Sequence, residues 1–464
     1  MVNSIENIDI NQFLKLYQMN GFTRNLTIES EMWDNIKKYK VMDAKGRFLK
    51  FLLNDALGYA AVQALPADGT GSYPRGQRSS LKEASAHYKE WAWTVTVPRV
   101  ILNKQGGLDF EYANSLAVEL DNKQAAFARL KCIEMQGDGV GAIGVISAIS
   151  VISSGPFAGS FLVTIDGSSA NAGRSFIRWF QEKDHVKAAS AAGVAHTTVA
   201  TATNAAYLSV ANVDDSVNQV VLTPYSSADV QQTAVAAQFN LAVGDLLYRK
   251  GQALVDTTAI TSSTEYETLN HTMVGLESLF ADDGRLVHGI NKSGNYRATV
   301  KGIGGKLLDN AHFQSALSTA KRRAGQQKYS YKKAFMADEA YDSLVSANET
   351  DRRFGEIEDI KRGFKTIGYK HRKDQIEFVP DEFVHRQRIW ILPEGNSAIG
   401  FAGGMPMQVK PNGSDPMHLS ISTDAQGQTQ YGRENETFFE QQGVLITKHA
   451  APIVVLKDFA VVNP

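Results

Sequence analysis

The chain has 464 residues, of which 43% are hydrophobic, which is enough for roughly two to four domains with sizeable cores. Lysine and arginine number 48 against 49 aspartates and glutamates, and the net charge of −1 excludes a polybasic nucleic-acid binder and an acidic solubilising tail. The single cysteine, Cys132, excludes an intrachain disulfide and zinc sites built on several thiolates.

The chain begins with a predicted N-terminal arm over residues 1–58, with two weak helical patterns at 8–17 and 32–39. Neither pattern has a strong apolar face, so we expect the arm to gain order against a partner or its own core. The arm has no basic start followed by an apolar run, which predicts no secretory signal. No stretch approaches the roughly 18 uninterrupted apolar residues of a membrane span, so the sequence predicts a soluble protein.

A long β-hairpin is predicted over residues 59–98. Its return strand is the clearer half, because four apolar residues alternate onto one face: Trp91, Trp93, Val95 and Val97. The tip, 67–80, consists almost entirely of turn formers and polar residues, and an isolated two-stranded hairpin is marginal in water. An ordinary surface hairpin is the alternative to a tip that contacts an adjacent subunit. The predicted contact residues are Asp68, Gly69, Thr70, Gly71, Tyr73, Arg75 and Arg78.

The strongest helix prediction in the chain covers residues 108–136. Neither Gly nor Pro interrupts it, and apolar residues recur at helical spacing with only Glu134 breaking the stripe. At 1.5 Å per residue, about 29 residues make a rod of about 43 Å. Four stripe residues are expected to pack against a sheet: Phe110, Leu120, Phe127 and Leu130. The turn that stops the helix is predicted to consist of Gly137, Asp138, Gly139 and Gly141.

The composition changes over residues 145–250, where Ala, Ser, Thr, Val and Gly dominate and strand-like runs recur. This block predicts an inserted small β-barrel or β-sandwich. The remainder, 251–464, returns to mixed α and β, so the predicted class is α+β with one insertion. Its predicted elements are helices at 307–323 and 339–348, strands at 333–337, 376–380 and 388–392, and a C-terminal strand pair at 443–448 and 452–456.

A search for catalytic or ligand-binding motifs predicts no catalytic residue, no metal and no cofactor. The glycine cluster 137–144 follows a helix, whereas a dinucleotide fingerprint follows a strand and opens a helix, so a sharp chain reversal is favoured over a phosphate cradle. The ten histidines form no helical metal pair. The acidic pairs 214–215 and 282–283 lack the regularly spaced oxygen ligands of a calcium-binding loop. The G-x-S-x-G elbow of many serine hydrolases is missing.

Several segments then carry a family resemblance by their order. They are Ser80-Leu81-Lys82, Thr94-Val95-Thr96-Val97, Ala117-Val118-Glu119-Leu120, Gly137-Asp138-Gly139-Val140-Gly141, Val243–Arg249, Val274–Phe280, His288–Ser293, Arg352-Arg353-Phe354, Gly363-Phe364 and Ile376–Pro380. Together they span about 80–150 and 243–400. In this order they resemble the major capsid proteins of tailed bacteriophages, those with the Hong-Kong-97-type fold.

The resemblance implies a domain arrangement for the α+β chain. It consists of an N-terminal arm (1–58), an extended loop (59–98), a peripheral domain with a spine helix (99–144, helix 108–136), a β-rich insertion domain (145–250), a further peripheral segment (251–304), an axial domain (305–420) and C-terminal strands of the peripheral domain (421–464). The insertion is larger than the minimal fold. The Lys–Asn crosslink of some relatives cannot be mapped onto this sequence.

The resemblance also implies a structural role and a set of partners. The chain would assemble with itself into hexamers and pentamers that form an icosahedral or prolate head around dsDNA, without sequence-specific binding and without a membrane. A scaffolding protein, a portal protein and a decoration protein would be further partners. The protein would be a virion component, assembled in the cytoplasm of a bacterial host.

Two alternative functions stay open at the level of the sequence. The Ala/Thr/Ser-rich block also suits another virion structural protein, such as a tail or fibre component, although a fibre would show repeats and none is found. An α+β hydrolase or transferase is the second alternative, and a discrete activity of the purified chain would favour it.

Overall fold

The structure is a computed structural model. It describes residues 30–40, 48–56, 80–98, 109–190, 205–226, 231, 241–250, 272–280, 286–292, 296–324, 329–349, 368–371, 374–394, 399–403, 407–409, 418–423 and 429–461. Two compact units emerge. Unit 1 comprises Met1–Asp43, Lys89–Ile133 and Ala402–Gly443, and unit 2 comprises Ala44–Tyr88, Glu134–Phe401 and Val444–Pro464.

The helices of the described residues are α1 (Glu31–Asn35), α2 (Asp109–Gln136), α3 (Leu276–Phe280), α4 (Asn310–Arg323) and α5 (Asp338–Glu349). The strands are β1 (Lys37–Lys40), β2 (Phe48–Ala56), β3 (Ser80–His87), β4 (Lys89–Pro98), β5 (Ala142–Val151), β6 (Phe161–Ile165), β7 (His185–Ala189), β8 (Ala205–Asp214), β9 (Gln219–Ser226), β10 (Leu246–Arg249), β11 (Leu286–Val287), β12 (Ile290–Asn291), β13 (Thr299–Gly302), β14 (Tyr331–Met336), β15 (Gly368–His371), β16 (Asp374–Pro380), β17 (Arg388–Pro393), β18 (Ile399–Gly403), β19 (Met407–Val409), β20 (His418–Thr423), β21 (Thr429–Thr447) and β22 (Val454–Lys457).

Unit 1 is built around the long strand β21. Strands β4, β19 and β20 each pair with it in antiparallel register, and Gly443 lies opposite Lys89 at one end of the β4 pairing. Helix α2 packs on this sheet through Phe127, whose ring stacks on Trp93 with centroids 4.3 Å apart. Trp93 in turn stacks on Phe439 of β21 at 5.6 Å. The aromatic side chains therefore join the helix to two strands that are distant in sequence.

The pairing of β4 corrects the predicted hairpin over 59–98. Its second strand was predicted at 87–97, but β4 pairs with β21. The hairpin of the structure is formed by β2 and β3, which pair with each other in antiparallel register. Alternation of apolar residues identifies a half-buried strand but not its partner, which is why the sequence assigned β4 to the wrong sheet. The predicted tip is not described, apart from Ser80, which begins β3.

The predicted arm also differs from the structure. The helix expected over 32–39 ends at Asn35, because Ile36 adopts extended backbone angles and β1 follows. At its start, the Ser30 hydroxyl accepts the Trp33 N–H at 3.1 Å, which caps the helix. The helix expected over 8–17 lies outside the described residues.

Unit 2 contains a closed barrel of six strands in the order β10-β5-β6-β9-β8-β7, closed by pairing of β10 with both β5 and β7. Alternation along β6 buries Phe161, Val163 and Ile165 and leaves the residues between them half-buried. This period of two is what a small barrel requires of its strands. Of the two architectures predicted for 145–250, the structure has the barrel.

The second part of unit 2 is a mixed sheet in the order β13-β22-β17-β14-β16-β15. The β13–β22 and β14–β16 pairs are parallel, and the other neighbours are antiparallel. Helix α4 begins in a capping box formed by Asp309 and His312. A shared core joins α4 and α5 to the sheet, and its members include Phe313, Leu317, Leu344, Ile376, Phe378, Ile389, Ile391, Val454 and Leu456.

The C-terminal strands differ from the predicted pair at 443–448 and 452–456. The first lies within β21, and the second, β22, lies between β13 and β17 in the mixed sheet. Strand β22 therefore joins the same sheet as β14 to β17, which were predicted to be axial. Short apolar strands carry no information about their partner when both faces are buried, so adjacency in sequence was the wrong guide.

Candidate functional site

The end of helix α2 is a tight reversal that connects it to β5. Gly139 and Gly141 have positive φ angles of 82° and 90°, which favour glycine. The Asp138 carboxylate accepts the Val140 N–H at 3.0 Å and pairs with Arg174. The Asp138 N–H donates to the Gly173 carbonyl at 2.9 Å. The predicted stop turn is thus held by its own aspartate and by the residues around 173.

A segment distant in sequence, 272–280, packs on this reversal. The Thr272 hydroxyl donates to the Gly139 carbonyl at 2.7 Å, and the Met273 N–H donates to the buried Glu134 carboxylate at 3.2 Å. At Gly275, a Cβ would lie under 3.0 Å from the carbonyl oxygens of Glu134 and Gly137, a distance that real side chains do not adopt. A glycine is required here because the two backbones are in contact.

The base of the β2–β3 hairpin is fixed by His288. The Ser85 N–H donates to the His288 carbonyl at 3.1 Å, and the His288 Nε2 accepts the Thr447 N–H at 3.0 Å. His288 and Gly289 have φ angles of 52° and 77°, as a tight two-residue hairpin turn between β11 and β12 requires. Phe51 lies edge-on to the imidazole with centroids 5.5 Å apart.

Parts of four segments that carry the family resemblance, 80–82, 137–141, 274–280 and 288–293, thus lie in or beside one set of contacts within unit 2. Lys292 donates to the Ser278 carbonyl at 2.6 Å, which joins the His288 turn to α3. The packed segment 272–280 then reaches the glycine reversal, and the His288 turn reaches β3. We call these contacts the frame junction: 80–87, 134–141, 272–280 and 286–292.

Unit 1 contains a buried charged side chain, that of Lys131. This side chain is almost fully buried, its ammonium lies 4.1 Å from the centroid of the Phe127 ring, and it donates to the Gln441 side-chain oxygen. A buried ammonium needs such partners, because an uncompensated charge in an apolar core is costly. Lys131 therefore adds a polar link between α2 and β21 to the aromatic packing.

Arginines join the barrel to the rest of unit 2. Arg388 is buried and binds the Glu277 carboxylate through two nitrogens, at 3.0 and 2.8 Å, and the Ser169 carbonyl at 2.7 Å. Arg178 of the barrel contacts Asp215, Asp338 and Glu339. Burial lowers the pKa of Arg178, but the three carboxylates outweigh it and the net pKa is raised.

Next to these arginines lies His385, which is fully buried. Burial first, and then the positive charges of Arg388 and Arg386, lowers the pKa of His385 to about 3. The imidazole is therefore neutral near pH 7, and its Nδ1 accepts the Gln387 N–H at 3.2 Å. It packs against Phe176 of the barrel segment with ring centroids 5.3 Å apart.

The predicted site residues are only partly within the described structure. The loop-tip residues 68–78 lie outside the described ranges. Phe110 and Leu120 lie in α2, while Phe127 is buried and Leu130 half-buried. Gly137, Asp138, Gly139 and Gly141 come together in the stop turn. In the described ranges, no group of three or more potential metal ligands occurs. None of the helices described is long and apolar enough to cross a membrane.

Four residues of these contacts were missed by sequence reasoning: Glu134, Gly275, His288 and Arg388. Glu134 did carry a signal, because it is the one acid in an otherwise apolar stripe, and burial with a hydrogen-bond partner explains it. Gly275 and His288 lay in segments noted only for resemblance. The role of each of these four residues depends on contacts across more than 100 positions in the sequence, which spacing rules do not address.

Comparison with known proteins gives likenesses of structure only, since no family model and no curated protein matches the chain. The chain is similar to the cyanophage A-1(L) capsid asymmetric unit, with 11% identity, a TM-score of 0.43 and 93% of each chain covered. It is similar to a chain of Mycobacterium phage Adephagia, with 6% identity, a TM-score of 0.40, and 94% and 92% covered. It is also similar to the holo-SrpI encapsulin complex from Synechococcus elongatus PCC 7942, with 6% identity, a TM-score of 0.33, and 92% and 85% covered.

Proposed function

We propose that the chain is a shell subunit, the major capsid protein of a tailed bacteriophage with a Hong-Kong-97-type fold. Its role is structural, and it tiles a closed head around dsDNA through contacts with copies of itself. The arm, extended loop, spine helix and axial domain are the parts that the sequence resemblance implies, and the barrel is an insertion beyond the minimal fold.

The frame junction is the observation that carries this proposal. Segments 134–141 and 272–280, more than 100 residues apart in the sequence, contact each other, as do β3 and the His288 turn, and each of these contacts includes or adjoins a motif that resembles capsid proteins. Independent motifs that matched by chance would not be expected to meet in space. Within the junction, Gly275 packs against the end of α2, and His288 holds the base of the hairpin.

The elements around the junction suit a subunit that needs neighbours. The β2–β3 hairpin is a two-stranded sheet, and such hairpins are marginally stable alone. Helix α2 is 28 residues long and forms a rod of about 42 Å. Closed shells require contacts between different surfaces of neighbouring copies, arranged in rings. A hairpin that reaches beyond its own subunit and a rigid rod supply such surfaces.

The partners follow from the same proposal. Hexamers and pentamers of this chain would form the head, with a portal protein at one vertex and a separate scaffolding protein during assembly. A decoration protein is a further possible partner in this scheme. The net charge of −1 suits a wall that encloses DNA without binding it tightly.

Expression of the full chain with its companion scaffolding protein tests the proposal. Negative-stain electron microscopy should show closed shells or hexameric rings. Rods, trimers or a monomer at all concentrations would contradict it, and the first two would favour a tail or fibre component. A catalytic turnover by the purified monomer would favour the hydrolase or transferase alternative.

A further inference from the structure

Two neighbouring segments at one rim of the barrel carry no charge and expose apolar side chains. We define the uncharged rim as residues 147–160, which end β5 and form the β5–β6 turn, together with 241–244 before β10. The sequence has no charged residue between Asp138 and Asp166, and none between Asp229 and Asp245. Val151 and Val243 are 43% and 64% exposed, and they are two of the four large apolar residues that are exposed in the described structure.

The two segments of the rim are neighbours in the structure. The Gly244 N–H donates to the Ile146 carbonyl at 2.7 Å, so Val243 lies beside the start of the exposed part of β5. Ile149, Ile152 and Phe157 are half-buried along the same rim. A Cβ added at Gly155 or at Gly244 would meet nothing within 4 Å, so the surface is open there.

The rim is also rigid, because its turn is closed by its own backbone. The Ile152 N–H donates to the Ser160 carbonyl at 2.9 Å, and the Gly159 N–H donates to the Ile152 carbonyl at 2.8 Å. The Ser160 N–H donates to the Phe157 carbonyl at 3.0 Å. A preorganised surface loses little conformational entropy when it is covered.

We propose that the uncharged rim is an interface between two copies of this chain, barrel against barrel. The core of a protein–protein interface is depleted of charged residues and has apolar side chains at its centre, as the rim does. This composition disfavours a nucleic acid or a charged protein as the partner. A surface without charge can face its own copy around a two-fold axis without repulsion between like charges. The inference rests on the proposed function, which requires many contacts between copies.

The test uses charged substitutions at exposed positions. Val243→Asp and Val151→Asp should leave the chain folded, since both side chains lie at the surface, but should lower the yield of assembled particles by about tenfold or more, because carboxylates would face each other across the contact. Val217→Asp is the matched control, because Val217 is 50% exposed in a different turn of the same barrel. Equal yields for all three variants and the wild type would overturn the proposal.

Cysteine crosslinking locates the contact directly. The one native cysteine, Cys132, is buried, so introduced thiols are the reactive ones. Under mild oxidation, particles of the Val151→Cys/Val243→Cys variant should contain disulfide-linked dimers, and particles of Val217→Cys should not. Normal particles without dimers would overturn the barrel contact and leave the shell function intact. If the wild type forms no particles, the proposed shell function is wrong. The rim contact is then tested on the soluble chain, where disulfide-linked dimers support the contact and monomers overturn it.

Discussion

At the scale of single residues, Gly275 has the least room for a side chain among the glycines of the described structure. Its Cα lies against the carbonyls at the end of α2, and an added methyl group has no room. Gly275→Ala should lower the free energy of unfolding by about 3 kcal/mol or more, the upper range for overpacking, because backbone must move. Denaturant unfolding measures the loss.

Gly167→Ala is the control for this prediction. Its added Cβ would meet only the Asn218 side chain, at an ordinary contact distance of 3.7 Å, and its φ is not in the left-handed region. We expect a change within about 1 kcal/mol. If Gly167→Ala destabilised the protein as much as Gly275→Ala, the contact between 272–280 and the end of α2 would not be a special feature.

Helix α2 provides a second residue-scale prediction. Phe127 is buried between Trp91 and Trp93, so Phe127→Ala should cost about 3–5 kcal/mol through lost transfer energy and a cavity. Lys123 is exposed one turn earlier, and Lys123→Ala should change the melting temperature little. Thermal melting of both variants checks the orientation of the helix, and a larger loss for Lys123→Ala would show that the stripe faces the other way.

His385 gives the protein a predictable pH dependence. Its folded pKa of about 3 lies below its ordinary value of 6.5, so the unfolded chain binds the proton first as the pH falls. Stability from this group is fully present above pH 6.5 and is lost between pH 6.5 and 3. By pH 5 the loss should be about 2 kcal/mol.

The His385→Asn variant should have lower stability at pH 7 but a flatter dependence between pH 7 and 4. An asparagine oxygen can accept the Gln387 N–H in place of Nδ1 without taking up a proton. His185→Asn is the control for replacing a histidine by asparagine, because His185 is exposed on the barrel. An unchanged slope in His385→Asn would show that another group causes the acid sensitivity.

At the scale of elements, local patterns predicted the helices better than the sheet pairings. The predicted α2 boundaries of 108–136 differ from the structure by one residue, because a long apolar stripe and Gly137 are local signals. The barrel was anticipated from composition and strand-like runs. The partner of β4 and the place of β22 were wrong, since both depend on contacts between segments more than 100 residues apart.

The hairpin is the element whose role can be tested most simply. Its strands β2 and β3 are anchored to the frame junction, and the predicted tip lies between them in sequence. Deletion of Asp68–Arg78 should therefore leave a folded chain with a wild-type melting temperature but reduce assembly strongly, if the tip contacts an adjacent subunit. Sedimentation of the assembly mixture measures the effect. Stable shells in wild-type amounts from this deletion would rule out the tip as an intersubunit contact.

At the scale of the whole molecule, the physical features agree with a structural role. Buried polar groups at the frame junction, Lys131 and Arg388 link segments distant in sequence, so the described polar network holds the fold together. Sequence reasoning led to the proposed functional class through the order of the motifs. It could not predict the junction, because the junction exists only once the chain has folded.

Cryo-electron microscopy of the particles formed by the full chain tests the central claim most directly. The proposal predicts a closed shell of pentamers and hexamers, with each β2–β3 hairpin extending over an adjacent subunit and the frame junction intact in every copy. A fibre, an open tube or a monodisperse monomer under all assembly conditions would contradict it.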